Sequence, residues 1–137
     1  MRVLANLMRH IFRHSLLGLL VFSTALSAEA MGPMTDASQK PLVIIRFNQP
    51  RIYFDKQLFT AISKAVAIKP EVSFNVVSYA PVTGDPQADS KWQALASRDT
   101  QSVLASMQNM GIPINRIQVS GQQDAGLKYD ETHIFVR

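Results

Sequence analysis

The fold is decided by two stretches, VSFNVVSY at residues 72–79 and RIQVS at residues 116–120, and by the segment between them. Their β-branched and aromatic residues predict two strands. Residues 81–90 form a loop in this prediction, and a long helix follows over residues 90–110. Gly111 ends that helix, and Pro113 prevents its continuation. A strand–helix–strand unit crosses over right-handed, so the two strands are expected to be parallel neighbours.

A second strand–helix unit precedes this one. Residues 42–47 read LVIIRF, an apolar β-branched run that predicts a buried strand. A helix is predicted next, because apolar residues recur at helical spacing and form one stripe. Lys69-Pro70 ends this helix, since the residue before proline is driven out of the helical region. The stripe consists of Phe54, Leu58, Ala61, Ile62, Ala65 and Val66.

The C-terminal part adds a loop over residues 121–129 and a last strand over residues 132–137. The last two strands are joined by a short loop and could pair directly. The predicted order is therefore β-α-β-α-β-β. It predicts an α/β (α+β) sandwich of two layers, in which two helices cover one face of a small mixed sheet.

The composition of the 137-residue chain limits the possible functions. Its length suits one domain, and 47% hydrophobic with 18% charged residues is typical of neither a disordered chain nor a membrane bundle. The chain has no cysteine, which excludes disulfides, thiolate metal sites and a cysteine nucleophile. Three histidines argue against a histidine-rich metal site. We expect no cofactor.

The N-terminus has the pattern of a secretory signal peptide over residues 1–30. Arginines precede an almost wholly apolar run at residues 15–28, and Ala28-Glu29-Ala30 offers small residues for cleavage after Ala30. An uncleaved anchor is the alternative, although the run is shorter than the roughly 20 residues that span a bilayer. Translation could also start at Met8. Residues 31–40 then form a flexible lead, residues 41–137 form the domain, and export to the periplasm or the exterior is expected.

The formal charge of +4 is divided evenly between this leader and the rest of the chain. Residues 31–137 hold 11 Lys/Arg and 9 Asp/Glu, a net +2, without a basic run. A nucleic-acid-binding protein normally shows a basic stripe, so this class of partner is not expected.

Three motifs in the second half of the domain resemble the C-terminal peptidoglycan-binding domain of the OmpA family. They are LASRDTQSV at residues 95–103, Gly111-Ile112-Pro113, and RIQVSG at residues 116–121. The family has a similar helix motif, a Gly-Ile/Val loop, a strand with spaced arginine and glycine, and the same order of elements. The resemblance covers residues 41–137 and implies the OmpA-like fold.

The resemblance also identifies a degenerate ligand site. The family binds diaminopimelate with an aspartate after the second strand and an arginine on the second helix. Here Pro81 stands at the position of the aspartate and Asp99 at that of the arginine. Trp92 replaces an asparagine, and His133 lies in place of an arginine. The candidate site positions are Tyr79, Pro81, Gly84, Asp85, Trp92, Asp99 and His133.

The chemistry of diaminopimelate makes these replacements important. Its zwitterionic end needs an anion for the ammonium and a guanidinium for the carboxylate. Pro81 offers no charge, and Asp99 repels a carboxylate. Loss of one partner of a desolvated charge pair already costs a few kcal/mol, so binding in the family's manner is not expected.

Each candidate also has a structural interpretation. Asp99 lies near the centre of an apolar helix face, where it could reach solvent, be capped by amides of the loop before the helix, or accept an amine or a partner's lysine or arginine. Asp85 and Asp89 are typical turn and helix-cap residues. Arg98 is expected at the surface, and Trp92 either packs in the core or anchors a partner.

The resulting hypothesis is a non-catalytic, periplasmic OmpA-like adaptor subunit of a cell-envelope assembly. No nucleophile–base–orienter set is evident. Degenerate OmpA-like domains occur in the outer-membrane core of type IVB (Dot/Icm-like) secretion systems, so the resemblance implies envelope or secretion-system proteins as partners. The alternative is a peptidoglycan anchor with a rearranged site that uses Asp85, Asp99, Arg98 or His133. An adaptor should expose an apolar patch around Tyr79, Pro81 and Trp92, and an anchor a charged cleft there.

Overall fold

The computed structural model describes residues 39–137, so the predicted signal peptide and most of the predicted lead lie outside the described residues. The observed order is β-α-β-α-β-β, as the sequence predicts. A short 3₁₀ turn, Ile114–Arg116, precedes the third strand. The elements are β1 (Val43–Arg46), α1 (Asp55–Ile68), β2 (Phe74–Pro81), α2 (Pro86–Asn109), β3 (Ile117–Asp124) and β4 (Glu131–Val136).

The four strands form one mixed sheet in the order β1-β4-β2-β3. β2 and β3 are parallel neighbours, as predicted, and β4 is antiparallel to both β1 and β2. The expected direct pairing of the last two strands is wrong, since β4 enters the sheet between β1 and β2. Composition explains this order, because β4 carries a buried Ile134 while β3 is mostly polar and suits an edge.

Both helices pack on one face of this sheet. Ile134 lies opposite Val43 on β1 and Val76 on β2, and all three are buried. The same cluster includes Leu58 from α1 and Met107 from α2. Side chains alternate across a strand, so neighbouring positions such as Tyr79 and His133 lie on the other face. Residues 39–137 therefore contain a hydrophobic core of their own.

The loops predicted at residues 81–90 and 121–129 are both shorter than expected, because β2, α2 and β3 extend into them. β2 continues to Pro81, which is paired with Asp124 at the end of β3. α2 begins at Pro86 rather than near residue 90, because Asp85 caps the helix and proline suits its first turn. Within residues 39–137, neither helix combines the length and apolar character needed to span a membrane.

A buried hydrogen bond fixes α2 to the inner strand β4. The hydroxyls of Thr100 and Thr132 lie 2.7 Å apart, and both residues are only 1–2% exposed. Each hydroxyl thereby satisfies the other in an otherwise apolar layer. This contact sets the position of the helix segment that carries Asp99.

We expect Leu58→Ala to lower the free energy of unfolding by about 2–5 kcal/mol, because it leaves a cavity under the sheet. Leu58 is fully buried, whereas its neighbour Phe59 is 58% exposed. The measurement is urea unfolding of the chain from residue 31, and Phe59→Ala is the matched control. Equal effects of the two substitutions would contradict this placement of the core.

Candidate functional site

The turn between β2 and α2 uses its two aspartates to build local structure. The Asp85 carboxylate accepts a hydrogen bond from the backbone N–H of Gln87 at 2.9 Å and caps α2. Asp89 accepts from both the backbone N–H and the hydroxyl of Thr83, each at 2.7 Å. These bonds hold the pKa of Asp89 below its usual range. Gly84 has φ of 84°, a conformation that favours glycine.

Asp99 lies on α2 with its side chain 17% exposed. Its Oδ1 accepts two hydrogen bonds from Arg98, from Nε and Nη2, each at 3.0 Å. The Arg98 side chain is 71% exposed, as expected for a surface arginine. Within residues 39–137 the expected capping of Asp99 by amides of the loop before α2 is not seen, and the Thr83 amide of that loop donates to Asp89 instead. Asp99 is thus a half-buried carboxylate with one exposed cation beside it.

Asp130, which directly precedes β4, is the most unusual polar residue in the described part of the chain. It is 1% exposed, and neither carboxyl oxygen has a hydrogen-bond partner. Burial, together with the charge and carboxyl of the neighbouring Asp99, raises the pKa of Asp130 to about 6. A buried carboxylate without a partner is costly and favours protonation.

The two carboxyl groups form what we call the acidic pair, Asp99 and Asp130. Two adjacent carboxyls cannot both ionise without cost, and a cation placed against them relieves their repulsion. Arg98 supplies part of this charge from the solvent side. The arrangement can therefore bind an ammonium or guanidinium group, or hold a proton, at this position.

A second cluster of polar side chains occupies the sheet face opposite the helices. The Tyr79 and His133 rings lie 4.4 Å apart between centroids. Glu131 bridges two basic side chains: its Oε2 lies 2.7 Å from His133 Nε2, and its Oε1 accepts a hydrogen bond from Arg46 Nε at 2.8 Å. Partial burial, and then the charge of Asp124, raise the pKa of Tyr79. These bonds fix the orientation of His133 at the strand surface.

The apolar patch expected around Tyr79, Pro81 and Trp92 does not form. Pro81 is buried, and Tyr79 is half-buried on the face away from the helices. Trp92 lies half-buried on α2, on the helical side of the sheet. The strand alternation places Tyr79 and Trp92 on opposite faces, which the loop-based interpretation of the sequence did not take into account.

A cleft of about 480 Å³ lies between α2 and the edge strand β3. Its lining comes from β2, α2 and β3 and consists mostly of hydroxyl and carboxamide side chains, such as Ser97, Gln101 and Gln122. None of its lining residues carries a charge. The cleft thus has no lining residue in common with the acidic pair and differs from it in chemistry.

Sequence reasoning identified Asp99 but missed Asp130 and Glu131. Asp130 directly precedes β4 and Glu131 begins it, whereas both lie between the predicted loop (residues 121–129) and the predicted strand (residues 132–137), and no spacing links them to α2. The signal was the local pair of carboxylates before an apolar strand, which becomes meaningful only when β4 is known to be an inner strand. Across residues 39–137, no group of three or more histidine or carboxylate side chains could hold a metal ion.

Comparison with known proteins assigns no family to the chain. No family model matches it, and no curated protein matches it significantly. The function is therefore inferred from the acidic pair and its surroundings.

The acidic pair predicts a particular pH dependence of stability. The folded state binds the Asp130 proton more tightly than the unfolded chain, so stability is lost as pH rises from 3.8 through about 6. The shift corresponds to up to about 3 kcal/mol. Asp130→Asn should remove this loss, and the variant should unfold at higher urea than wild type at pH 7 but not at pH 4.

Two further variants distinguish this cause from a general charge effect. Asp99→Asn should lower the pKa of Asp130, because it removes the neighbouring carboxylate. The free energy of unfolding should then fall less steeply as the pH rises. Glu71→Gln removes a charge at an 80% exposed side chain and should not reproduce the gain at pH 7. A wild-type Asp130 that titrates near pH 4 by NMR would refute the prediction.

Proposed function

We propose that residues 39–137 act as a non-catalytic adaptor domain of a bacterial cell-envelope assembly, which receives a basic side chain of a partner protein at the acidic pair. The observation that carries this proposal is the acidic pair itself, and not the apolar patch that the sequence-based hypothesis expected of an adaptor, which does not form. Asp99 stands where the OmpA-like resemblance expects an arginine, and the buried, unpartnered Asp130 lies beside it.

The reversal of charge at this position argues against the family's ligand. A diaminopimelate carboxylate would face two carboxyl groups instead of a guanidinium, and like charges at close range cost several kcal/mol in a partly desolvated site. Pro81, at the position of the family's aspartate, is a buried residue of β2 that has no N–H to donate. The site favours a cation that brings no carboxylate with it.

A lysine or arginine of a partner meets this requirement. Its charge beside Asp99 would relieve the repulsion between Asp99 and Asp130, whose buried carboxyl oxygens have no hydrogen-bond partner in the free domain. Among the described residues Arg98 donates hydrogen bonds only to Asp99, and its side chain is 71% exposed, so it is free to swing aside. Arg98 would thus occupy the entrance in the free domain and be displaced by the partner.

The envelope location rests on the leader pattern at residues 1–30 and on the OmpA-like resemblance. The observed β-α-β-α-β-β order supports that resemblance at the level of fold. A place in the outer-membrane core of a type IVB-like secretion system is the most specific form of the proposal.

A peptidoglycan anchor with a rearranged site is the second candidate, and one observation favours it. The acidic pair could hold the ammonium of diaminopimelate, while the exposed Arg98 beside it could take the carboxylate. This arrangement requires Arg98 to release Asp99. The two candidates therefore differ in whether the ligand needs a carboxylate.

Co-sedimentation with purified sacculi that contain diaminopimelate separates the two candidates. We expect the chain from residue 31 to stay in the supernatant, while an OmpA-family peptidoglycan-binding domain pellets as the positive control. Pelleting that free diaminopimelate reverses would contradict the adaptor proposal. In that case Arg98→Ala would abolish binding if the rearranged site is correct.

A second experiment compares small cations by NMR titration. We expect N-acetyl-lysine methylamide to shift the backbone signals of Asp99 and Asp130, and diaminopimelate to bind at least about tenfold more weakly because its carboxylates are repelled. Asp99→Asn should abolish these shifts, and the exposed control Glu71→Gln should retain them. Preference for diaminopimelate would support the anchor instead.

A further inference from the structure

The described residues contain a concave surface of uniform charge at the β1 edge of the sheet. A shallow groove of about 960 Å³ runs between β1 and α1. We call it the lysine groove, since Lys40, Lys56, Lys64 and Arg46 line it. None of its lining residues is acidic.

The grouping of positive charges in this groove is not a simple consequence of the net charge of the domain. Residues 39–137 hold 11 Lys/Arg and 8 Asp/Glu, a net charge of 11 − 8 = +3. Four of the eleven cations, and none of the eight carboxylates, line the groove. Of the four, Arg46 is paired with Glu131, whereas the three lysines form no ion pair among the described residues. On most protein surfaces both signs are interspersed, so a groove of one sign raises the local concentration of the opposite charge.

The helix supplies the charges in a regular row. Lys56 and Lys64 are two turns apart on α1, with Thr60 between them, so all three point to the groove. The acidic residue nearest to this row in the helix, Asp55, is directed elsewhere, because its carboxylate accepts a hydrogen bond from Ser106 at 2.8 Å. Glu131 does not neutralise the lysines either, since it is engaged by Arg46 and His133.

The opposite wall is a strand edge. β1 is the outermost strand on this side of the sheet, and among the described residues no strand pairs with its outer edge. The Ile44 carbonyl faces α1, where it accepts only a long bond of 3.4 Å from the Gln57 side chain. Extended peptides bind such edges through their backbone, while neighbouring side chains provide specificity.

An aromatic side chain completes the groove. Tyr53 is 85% exposed and lines it just before α1 begins. Tyrosine supplies a large contact area at low entropic cost and is enriched where proteins bind one another. Its exposure in the free domain gives a peptide an apolar contact between the charges.

We infer that the lysine groove binds an extended acidic segment of a partner protein, whose carboxylates contact Lys56 and Lys64 and whose backbone lies along β1. Charge complementarity selects the acidic partner. The concave shape and the strand edge favour a polypeptide over a flat anionic membrane. The groove shares no lining residue with the acidic pair, so this inference holds or fails separately from the adaptor proposal.

The test uses NMR titration of the chain from residue 31 with a synthetic peptide of alternating glutamate and threonine. We expect shifts at Ile44, Lys56 and Lys64, and weaker binding as salt is raised, because exposed charge pairs are screened. A glutamine–threonine twin of the peptide should bind at least about tenfold more weakly.

Two double variants separate position from net charge. Lys56→Glu/Lys64→Glu should weaken binding at least about tenfold. Lys91→Glu/Lys128→Glu changes the net charge equally at exposed positions outside the groove and should leave binding within about twofold. Circular dichroism checks that both variants fold.

Three results would overturn the inference. The acidic peptide does not bind, the two double variants lose the same affinity for it, or the NMR shifts that it causes lie outside the lysine groove. Vesicles that contain phosphatidylglycerol provide the competing arm. If they bind through Lys56 and Lys64 while the peptide does not, the groove is a lipid-binding surface and the inference is wrong.

Discussion

The position of β4 between β1 and β2 is the constraint on which the rest of the structure depends. It buries Ile134 between Val43 and Val76 and directs Thr132 towards α2, where it meets Thr100. The same insertion brings Asp130, the residue before β4, next to Asp99 of α2. It also turns Glu131 and His133 to the opposite face. The hydrophobic pairing of one inner strand thereby positions Asp130, Glu131 and His133.

Asp130 shows how this constraint can oppose local chemistry. A carboxyl group that is 1% exposed and has no hydrogen-bond partner destabilises the folded state once it ionises. An asparagine or a serine at the same position would avoid the cost of ionisation. Such buried carboxyl groups are common at functional sites, where their destabilisation is relieved by a ligand. A cation supplied by a partner would provide this relief.

The sequence predicts the elements of this fold better than their arrangement. Local signals suffice for α1, because Leu58, Ile62 and Ala65 repeat at helical spacing and are buried as expected. The order of the strands depends instead on contacts between distant residues, such as Ile134 with Val43 and Val76, which no local pattern encodes. For the same reason Asp99 could be noticed as an anomaly on its own helix, whereas its relation to Asp130 could not.

The distribution of charge connects these features. Residues 39–137 carry a net charge of only +3, yet the acidic pair and the lysines of α1 lie apart, and Lys56 and Lys64 form no ion pair with a described carboxylate. Lys56 and Lys64 could have formed ion pairs with Asp55 or Glu131, but Asp55 accepts a hydrogen bond from Ser106, and Glu131 pairs with Arg46 and His133. Exposed pairs contribute little to stability, so leaving them unformed costs the fold little. It leaves the lysines of the groove without an ion pair, at a place separate from the acidic pair, which is what the proposed binding of two different partners would use.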